Sequence, residues 1–309
     1  MTSYRLDDTQ PHAFWDNSYP PRLTVASGDV VVFETLEGTG QITPDSTAEA
    51  LANFDPEPVH PLTGPVYVER AEPGGVLEVE VLDLEHKNWG WNGVLPEFGL
   101  LAEEFLEPYI HHYELVDREC VFRPDIRIPF EPFCGVMGVA PREPGRFDTA
   151  PPRENAGNVD IRHLTVGTTV RLPVLVEGAL FSCGDCHAAQ GDGEVNGTGI
   201  EAPMVVTLRL SLAERPSIPE LQFVTPPGRP LTAAGSGGYF ATTAHGPDLF
   251  ENAQRAIRYM IDHLVSEHDL TREQAYCLCG AAVDLKISEI VDEPNWLVSA
   301  YLPLGIFRS

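Results

Sequence analysis

The sequence predicts a mainly β protein with a smaller α+β unit at its C-terminal end. Proline and glycine, at 28 and 27 residues, divide much of the chain into short segments, which is typical of many short strands. Helical periodicity begins only near residue 248. The 309 residues suffice for one large domain or two ordinary ones. We therefore assign residues 1–245 to a β-sandwich or β-barrel region and residues 246–309 to an α+β closing unit.

Strands are predicted in residues 1–245 wherever apolar residues follow a turn signal. Residues 30–33 are all apolar and follow the turn signal at residues 27–29. Residues 77–81 alternate between apolar side chains and glutamate, which indicates a half-buried strand. Further strands are predicted over residues 121–130, 169–176 and 204–212.

Two helices and two closing strands are predicted for residues 246–309. The first helix begins near Asp248, because apolar residues recur at helical spacing from Leu249 to Leu264. The second begins at the capping-box pattern of residues 271–274. Residues 285–291 and 297–302 are the predicted closing strands.

The chain is strongly acidic, with 46 acidic and 20 basic residues and a net charge of −26. Nucleic acids and anionic membranes bind basic surfaces, so we expect neither as a partner. No run of 18 apolar residues is present, and residues 1–8 lack the pattern of a signal peptide. We therefore expect a cytoplasmic protein whose six cysteines are reduced thiols.

The densest group of ligand-type side chains lies between Ala179 and Glu201. Asp185 and His187 are two residues apart, as are Asp192 and Glu194. On a strand, residues two apart point to the same face, so each pair can direct two ligands to one point. Imidazole and carboxylates suit zinc or another divalent metal, so all four are candidate metal ligands. The alternative is a polar hairpin whose acids are solvated.

Cys183 and Cys186, followed by His187, match the attachment pattern of c-type haem. Haem attachment of this kind requires export, which we do not expect. On a regular strand the two cysteines face opposite ways, which disfavours a chelate or a redox pair. We therefore predict that Cys186 is a small core residue and that Cys183 is not a metal ligand.

Further polar residues are candidates for binding and catalysis. Glu201, His163 and Glu34 are candidate catalytic residues, and for Glu201 a role as a further metal ligand is also open. The candidate substrate-binding residues are His60, Asn158 and Gln190. The alternatives are a strand-end glutamate in solvent at 201 and an Asx turn with a structural histidine around 158–163.

The central segment resembles the signature of the acetamidase/formamidase family. It reads G-D-C-H-A-A-Q-G-D-G-E-V-N-G-T-G-I-E over residues 184–201. Segments that also resemble this family begin, in order, at Gly28 (G-D-V-V-V-F-E-T), His60 (H-P-L-T-G-P-V-Y-V-E), Ala71 (A-E-P-G-G-V-L-E-V-E-V), Gly135 (G-V-M-G-V-A-P) and Gly157 (G-N-V-D-I-R-H-L-T). The sequence departs from the family pattern at Cys186, at Asn196 and in the short glycine loop 38–41.

The resemblance implies β-sandwich-like domains with a smaller α+β C-terminal unit. It implies metal-dependent hydrolysis of a short aliphatic amide, of the formamide or acetamide type, to ammonia and a carboxylate. It adds Asp160 to the metal ligands of a site that holds one or two divalent ions, zinc foremost. Glycines beside the ligands predict a narrow space above the metal and hence a preference for small amides. We also expect a homo-oligomer.

Two other classes of function compete with this hypothesis. One is a non-catalytic β-sandwich that binds a structural ion such as Ca²⁺, although calcium prefers oxygen ligands and His187 disfavours it. The other is hydrolysis of a different linear C–N bond. The sequence contains no G-x-S-x-G nucleophile elbow, no phosphate loop and no dinucleotide fingerprint, which excludes the corresponding serine hydrolases and nucleotide sites.

Overall fold

The computed structural model describes residues 1–99, 106–123, 126–190, 194, 196–214, 216–227, 237–270 and 283–307. The predicted ligand Asp192 and the predicted helix at 271–274 lie outside the described residues.

The described residues form twenty strands, two α-helices and a short 3₁₀ helix at Leu304–Ile306. The helices are α1 (Ala48–Ala52) and α2 (Leu249–His268). The strands are β1 (Ser3–Leu6), β2 (Phe14–Trp15), β3 (Leu23–Val25), β4 (Asp29–Glu34), β5 (Thr63–Val68), β6 (Val76–His86), β7 (Trp89–Val94), β8 (Tyr109–Val116), β9 (Glu119–Arg123), β10 (Ile126–Pro129), β11 (Phe133–Gly138), β12 (Phe147–Asp148), β13 (Ala156–Asn158), β14 (Thr169–Pro173), β15 (Phe181–His187), β16 (Met204–Leu212), β17 (Gln222–Val224), β18 (Tyr239–Gly246), β19 (Asp284–Glu289) and β20 (Trp296–Pro303).

A nine-stranded sheet runs through most of the chain, in the order β1-β4-β16-β6-β14-β17-β18-β20-β19. Its fourth strand, β6, buries Leu77, Val79 and Val81, as the alternation predicts. Glu78 and Glu80 on the other face pair with Arg171 and Arg209 of the neighbouring strands. Strands β19 and β20 extend this same sheet, so the C-terminal strands and the N-terminal strands β1 and β4 belong to one hydrogen-bonded sheet. The domain boundary at residue 245 stays a prediction.

A five-stranded sheet, in the order β13-β11-β15-β5-β3, packs against the nine-stranded one. The rings of Phe33 on β4 and Phe181 on β15 lie 5.8 Å apart at 69°, an edge-to-face contact between the two sheets. Every residue of β15 is buried. The mainly β fold predicted from the sequence is thereby confirmed, and β15 carries its ligand-type residues through the interior.

Helix α2 covers the end of the nine-stranded sheet next to β18 and β20. The Asp248 carboxylate caps it by accepting a hydrogen bond of 2.9 Å from the Glu251 N–H. Its apolar face, including Met260 and Leu264, packs on Phe240 and Leu302. Within the described ranges, no helix is both long enough and apolar enough to cross a membrane.

Candidate active site

A cavity of about 410 Å³ opens where the end of β15 meets the loops beside it. Its polar wall is built from acidic, imidazole and amide side chains, namely His60, Asn158, Asp160, Asp185, His187, Glu194, Glu201 and Asp292. Its apolar wall includes Phe54, Val59, Trp91, Leu95, Pro96 and Phe98. The cavity thus has an apolar side as well as an acidic one.

His187 is the centre of a buried cluster of four carboxyl groups. Its Nε2 lies 3.1 Å from Glu201 Oε1 and 3.6 Å from Asp185 Oδ2. Its Nδ1 lies 3.8 Å from both Asp160 Oδ1 and Glu194 Oε1. All five residues are buried. Two triads result, Asp185–His187–Glu201 and Asp160–His187–Glu194, and within each the ligand atoms lie within 4.8 Å of one another.

The backbone of β15 is irregular at Asp185, which has a φ of 48°. Asp185 and His187 both line the cavity, as their spacing predicts. However, the thiols of Cys183 and Cys186 both contact the thiol of Cys134, so the prediction that these two cysteines face opposite ways is wrong. The left-handed residue between them breaks the alternation of the strand. Both thiols are fully buried, and Cys186 is a core residue as predicted.

Glu201 reaches the cluster from a bridge between two strands. Its N–H and C=O pair with Trp91 of β7 at 2.7 and 2.9 Å, and it also forms a bridge with His187. The chain on both sides of Glu201 is therefore fixed by backbone hydrogen bonds, which set the carboxylate against His187.

Glycines make room for the cluster on three sides. A Cβ at Gly38 would lie 2.5 Å from both Asp185 Oδ1 and Glu201 Oε2. A Cβ at Gly135 would lie 2.6 Å from Asp160 Oδ1, and one at Gly199 would lie closer still to His187 Nδ1. Any larger residue at these positions would displace a ligand atom.

Burial and mutual repulsion shift the ionisation of the cluster. Burial, reinforced by the Glu194 carboxylate, raises the pKa of Asp160 well above its usual value. Burial also raises the pKa of Glu201, against the opposing effect of His187. Burial opposes ionisation of Asp185 as well, but the imidazoles of His60 and His187 outweigh it and lower the pKa of that carboxyl. None of the described residues that line the cavity is a lysine or an arginine.

The donor set fits a divalent cation. Asp160 Oδ1 and Glu201 Oε2 are buried oxygens without a hydrogen-bond donor among the described residues. Such oxygens are costly to bury unless a cation or a donor meets them. Gln190 accepts a 2.7 Å hydrogen bond from His187 Nδ1 and donates one of 3.0 Å to the Asp160 carbonyl, which fixes its own amide orientation. His187 Nε2 thereby faces the carboxylates of Asp185 and Glu201, where it could serve as a metal ligand.

A sequence model of the acetamidase/formamidase family matches residues 2–147 and 144–309 of the chain. The chain belongs to the acetamidase/formamidase family. This membership confirms the resemblance read from residues 184–201 and supports the predicted amidohydrolase activity.

Named relatives of this family share both sequence and fold with the chain. An acetamidase of Mycolicibacterium smegmatis is 30% identical over 61% of the chain, and the chain spans less than two thirds of that protein, 62%. A formamidase of Methylophilus methylotrophus is 28% identical over 97% of the chain and 90% of its own length. The crystal structure of an acetamidase from Bacillus halodurans superposes with a TM-score of 0.89, at 33% identity and 98% coverage of both chains.

Within this family member, the predicted site residues separate into two groups. Seven of them line the cavity: His60, Asn158, Asp160, Asp185, His187, Glu194 and Glu201. Gln190 lies behind His187 and holds it by the hydrogen bond described above.

Two predicted catalytic residues lie away from the cluster. Glu34 is on the outer face of β4, where it pairs with Arg5 at 2.7 Å, because Val31 and Phe33 take the inward positions of that strand. His163 packs edge-to-face on Tyr301 and lies 3.4 Å from Lys286 Nζ. The geometry gives neither residue access to the cavity, which corrects both assignments.

Sequence reasoning missed Glu37 and Asp292. The Glu37 carboxylate is buried and organises the loop that carries Gly38. It accepts hydrogen bonds from Trp91 Nε1 (2.8 Å), Thr39 Oγ1 (2.9 Å) and the N–H groups of Thr39 (3.1 Å), Gln41 (2.8 Å) and Ile42 (3.1 Å). An acidic residue directly before a Gly-Thr-Gly turn is a recognisable signal for this arrangement. Asp292 comes from the turn between β19 and β20, and no local signal marks it.

Proposed function

We propose that this protein hydrolyses short linear amides, of the formamide or acetamide type, with a divalent metal held by its buried carboxylate–imidazole cluster. The proposal is carried by the four buried carboxyl groups that surround His187. No lysine or arginine is among the described residues that line their cavity. Membership of the acetamidase/formamidase family supports the reaction class.

The Asp185–His187–Glu201 triad is the proposed metal site. It offers one imidazole nitrogen and two carboxylates, which are ligand types that zinc binds, and three protein ligands leave one position of a tetrahedral site open. When bound there, zinc or a similar ion would act as a Lewis acid and lower the pKa of water. Asp160 and Glu194 lie on the Nδ1 side of His187, where a second ion would need them.

The chain's own residues supply binding and proton transfer. Asp185 stays ionised and balances positive charge in the cluster. Glu201 would hold the ion with one carboxyl oxygen; its other oxygen, Oε2, has no donor among the described residues and is the proposed carrier of the proton to the departing nitrogen. The apolar wall of Phe54, Val59 and Leu95 holds the acyl group and excludes water. The carboxylate product is repelled by the acidic wall, which favours its release.

A structural calcium site is the weaker alternative. An imidazole nitrogen at the centre of the cluster is a poor calcium ligand, whereas it is a common zinc ligand. The cavity beside the cluster also has space for an organic ligand, which a purely structural site does not need.

The test is ammonia release from formamide, acetamide, propionamide, butyramide and hexanamide, with elemental analysis of the same sample. We expect turnover of the small amides and bound zinc or a similar ion. Chelation should abolish turnover, and the ion should restore it. His187→Ala should lower kcat/KM at least about 100-fold and reduce metal content, since it removes a direct ligand.

Cys186→Ala is the matched control, because Cys186 lies on the same strand but points into the core. It should keep its metal and most of its activity. Full activity in metal-free protein would contradict the metal requirement. A steady rise of kcat/KM from formamide to hexanamide would reject short amides as the substrate class, since the apolar wall would then select long acyl chains.

We further propose a cytoplasmic protein and a homo-oligomer. The buried free thiols of Cys120, Cys134, Cys183 and Cys186 suit a reducing compartment. Light scattering of the purified protein tests the oligomeric state directly.

A further inference from the structure

The amide of Asn158 has a fixed orientation. Asn158 ends β13, is 2% exposed and lines the cavity. Its Nδ2 donates one hydrogen bond of 3.0 Å to the Ala150 carbonyl and another of 2.6 Å to Asp292 Oδ2. Both N–H bonds of the side chain are thus occupied by acceptors. A flipped amide would place its oxygen against two oxygens, so the orientation is determined by these two partners.

The other end of the same amide has no partner in the described part of the chain. Asn158 Oδ1 is a buried oxygen without a hydrogen-bond donor. A buried acceptor of this kind carries a penalty unless a ligand supplies the donor. The site therefore presents an acceptor where a ligand N–H is needed.

Asp292 is held rigidly where it meets Asn158. The Asp292 N–H donates to Glu289 Oε1 at 2.7 Å, and the Asn295 N–H donates to the Asp292 carbonyl at 3.2 Å. Asn295 Nδ2 in turn donates to the Pro152 carbonyl at 3.1 Å, which ties this turn to the segment that precedes β13. Asp292 is 8% exposed and lines the cavity.

We propose that Asp292 is a positioning residue that fixes Asn158 so that Oδ1 accepts an N–H of a carboxamide substrate. This inference rests on the proposed function, because it assigns Asn158 Oδ1 as the acceptor for the –NH₂ group of the substrate amide. Either a carboxylate or a neutral carboxyl presents a lone pair at Oδ2, so the arrangement does not depend on the charge of Asp292. An ester has no N–H for Oδ1, and a site built to bond such a group discriminates strongly against analogues that lack it.

The test compares metal-loaded variants of the full chain by ammonia release from acetamide. Asp292→Ala should lower kcat/KM roughly tenfold or more, because Asn158 becomes free to turn its oxygen away. Asp292→Asn should recover most of this loss, since its own amide oxygen can accept from Asn158. Methyl acetate, measured as a substrate or as a competitive inhibitor, should bind the wild type and Asp292→Ala within about twofold of each other.

A double-mutant cycle decides whether Asp292 acts through Asn158. In an Asn158→Ala background, Asp292→Ala should have no further effect on acetamide turnover. Asp45→Ala, which changes an exposed aspartate on the loop before α1, is the control. If Asp292→Ala melts below the assay temperature, Asp292→Ser serves in its place, because serine is too short to reach Asn158.

Four results would overturn the inference: additive effects in the cycle, no recovery in Asp292→Asn, an equal loss for ester and amide, or a fall in metal content in Asp292→Ala. The last would make Asp292 a metal ligand. A wild-type protein that releases no ammonia from any amide would instead refute the proposed function.

Discussion

Four residues of the cavity wall adopt a left-handed backbone. The φ angles are 53° at His60, 43° at Asp160, 48° at Asp185 and 47° at Glu194. Each such non-glycine residue costs of order 1–3 kcal/mol and persists only where its surroundings hold it. These four are among twelve non-glycine residues with positive φ in the described part of the chain, and at these four the backbone sets the direction of a ligand-type side chain.

The residues that sequence reasoning identified are those with a local signal. Asp185, His187, Glu194 and Glu201 lie within one short segment, so their meeting needed no knowledge of the fold. Glu34 was misassigned although the burial alternation of β4 already directs it outward.

His12 gives the fold a defined acid sensitivity. Its Nδ1 bonds the Phe14 carbonyl at 2.9 Å and its Nε2 lies 2.8 Å from Ser182 Oγ. Burial lowers the pKa of His12 from 6.5 to about 4. As the pH falls below the pKa of His12 in the unfolded chain, the unfolded chain binds a proton at this histidine and the folded chain does not. Stability linked to His12 is therefore complete above about pH 6.5 and is lost progressively toward pH 4.

When the pH is lowered from about 7 to 4, we expect the free energy of unfolding to fall less in His12→Asn than in the wild type. A pKa displacement is worth about 1.4 kcal/mol per unit, so the difference between the two proteins is at most about 3.5 kcal/mol. Urea unfolding at several values between about pH 7 and pH 4 measures it. Parallel stability curves for the two proteins would show that His12 does not titrate in this way.

At the scale of elements, the paired strands β11 and β15 depend on a glycine where Gly135 faces Asp185. Gly135 on β11 lies beside Asp185, and its carbonyl accepts hydrogen bonds from the N–H groups of Val159 (3.0 Å) and Asp160 (3.3 Å). This carbonyl draws the Asp160 loop onto the strand pair. The contact depends on glycine, since a Cβ at 135 would lie 2.6 Å from Asp160 Oδ1 and 2.8 Å from Asp185 Oδ2.

Gly135→Ala should therefore lose metal before it loses its fold. The extra methyl group forces the carboxylates apart, and overpacking of this kind costs typically ~1–3 kcal/mol of stability. We expect metal content and ammonia release to fall by about tenfold or more, with a β-rich circular dichroism spectrum retained. Gly74→Ala is the control, since its φ of 90° strains the backbone while a Cβ there meets no atom within 4 Å. Undiminished metal in Gly135→Ala would refute the steric argument.

Strand positions were predictable from the sequence where turn signals and alternation coincide, as in β4, β6 and β16. Sheet order was not, because it depends on pairings between strands far apart in the chain, such as β16 with β4 and β6. The same limit hid Asp292, which reaches Asn158 only through the pairing of β19 with β20. The Glu37 loop was missed for a different reason. Its hydrogen bonds are local, but the loop belongs to the site only because Gly38 lies against Asp185 in the folded chain.

At the scale of the molecule, a net charge of −26 opposes compaction. Dissolved salt shortens the range of this repulsion, since the Debye length falls from ~30 Å at 0.01 M to ~3 Å at 1 M. We therefore expect the Tm of the metal-loaded protein to rise between low and moderate salt. Calorimetry in a series of NaCl concentrations measures this. A constant or falling Tm would mean that surface pairs such as Arg5–Glu34 already balance the acidic charge.

The nine-stranded sheet also determines when the protein can become functional during its synthesis. Strand β18 pairs with β20, and Asp292 lies between β19 and β20, so the last part of the chain completes both the sheet and the cavity wall. A nascent chain that ends before β20 exposes the edge of β18, and exposed edges favour pairing with other molecules. Products truncated before β20 should aggregate, and activity should appear only after β20 has been synthesised.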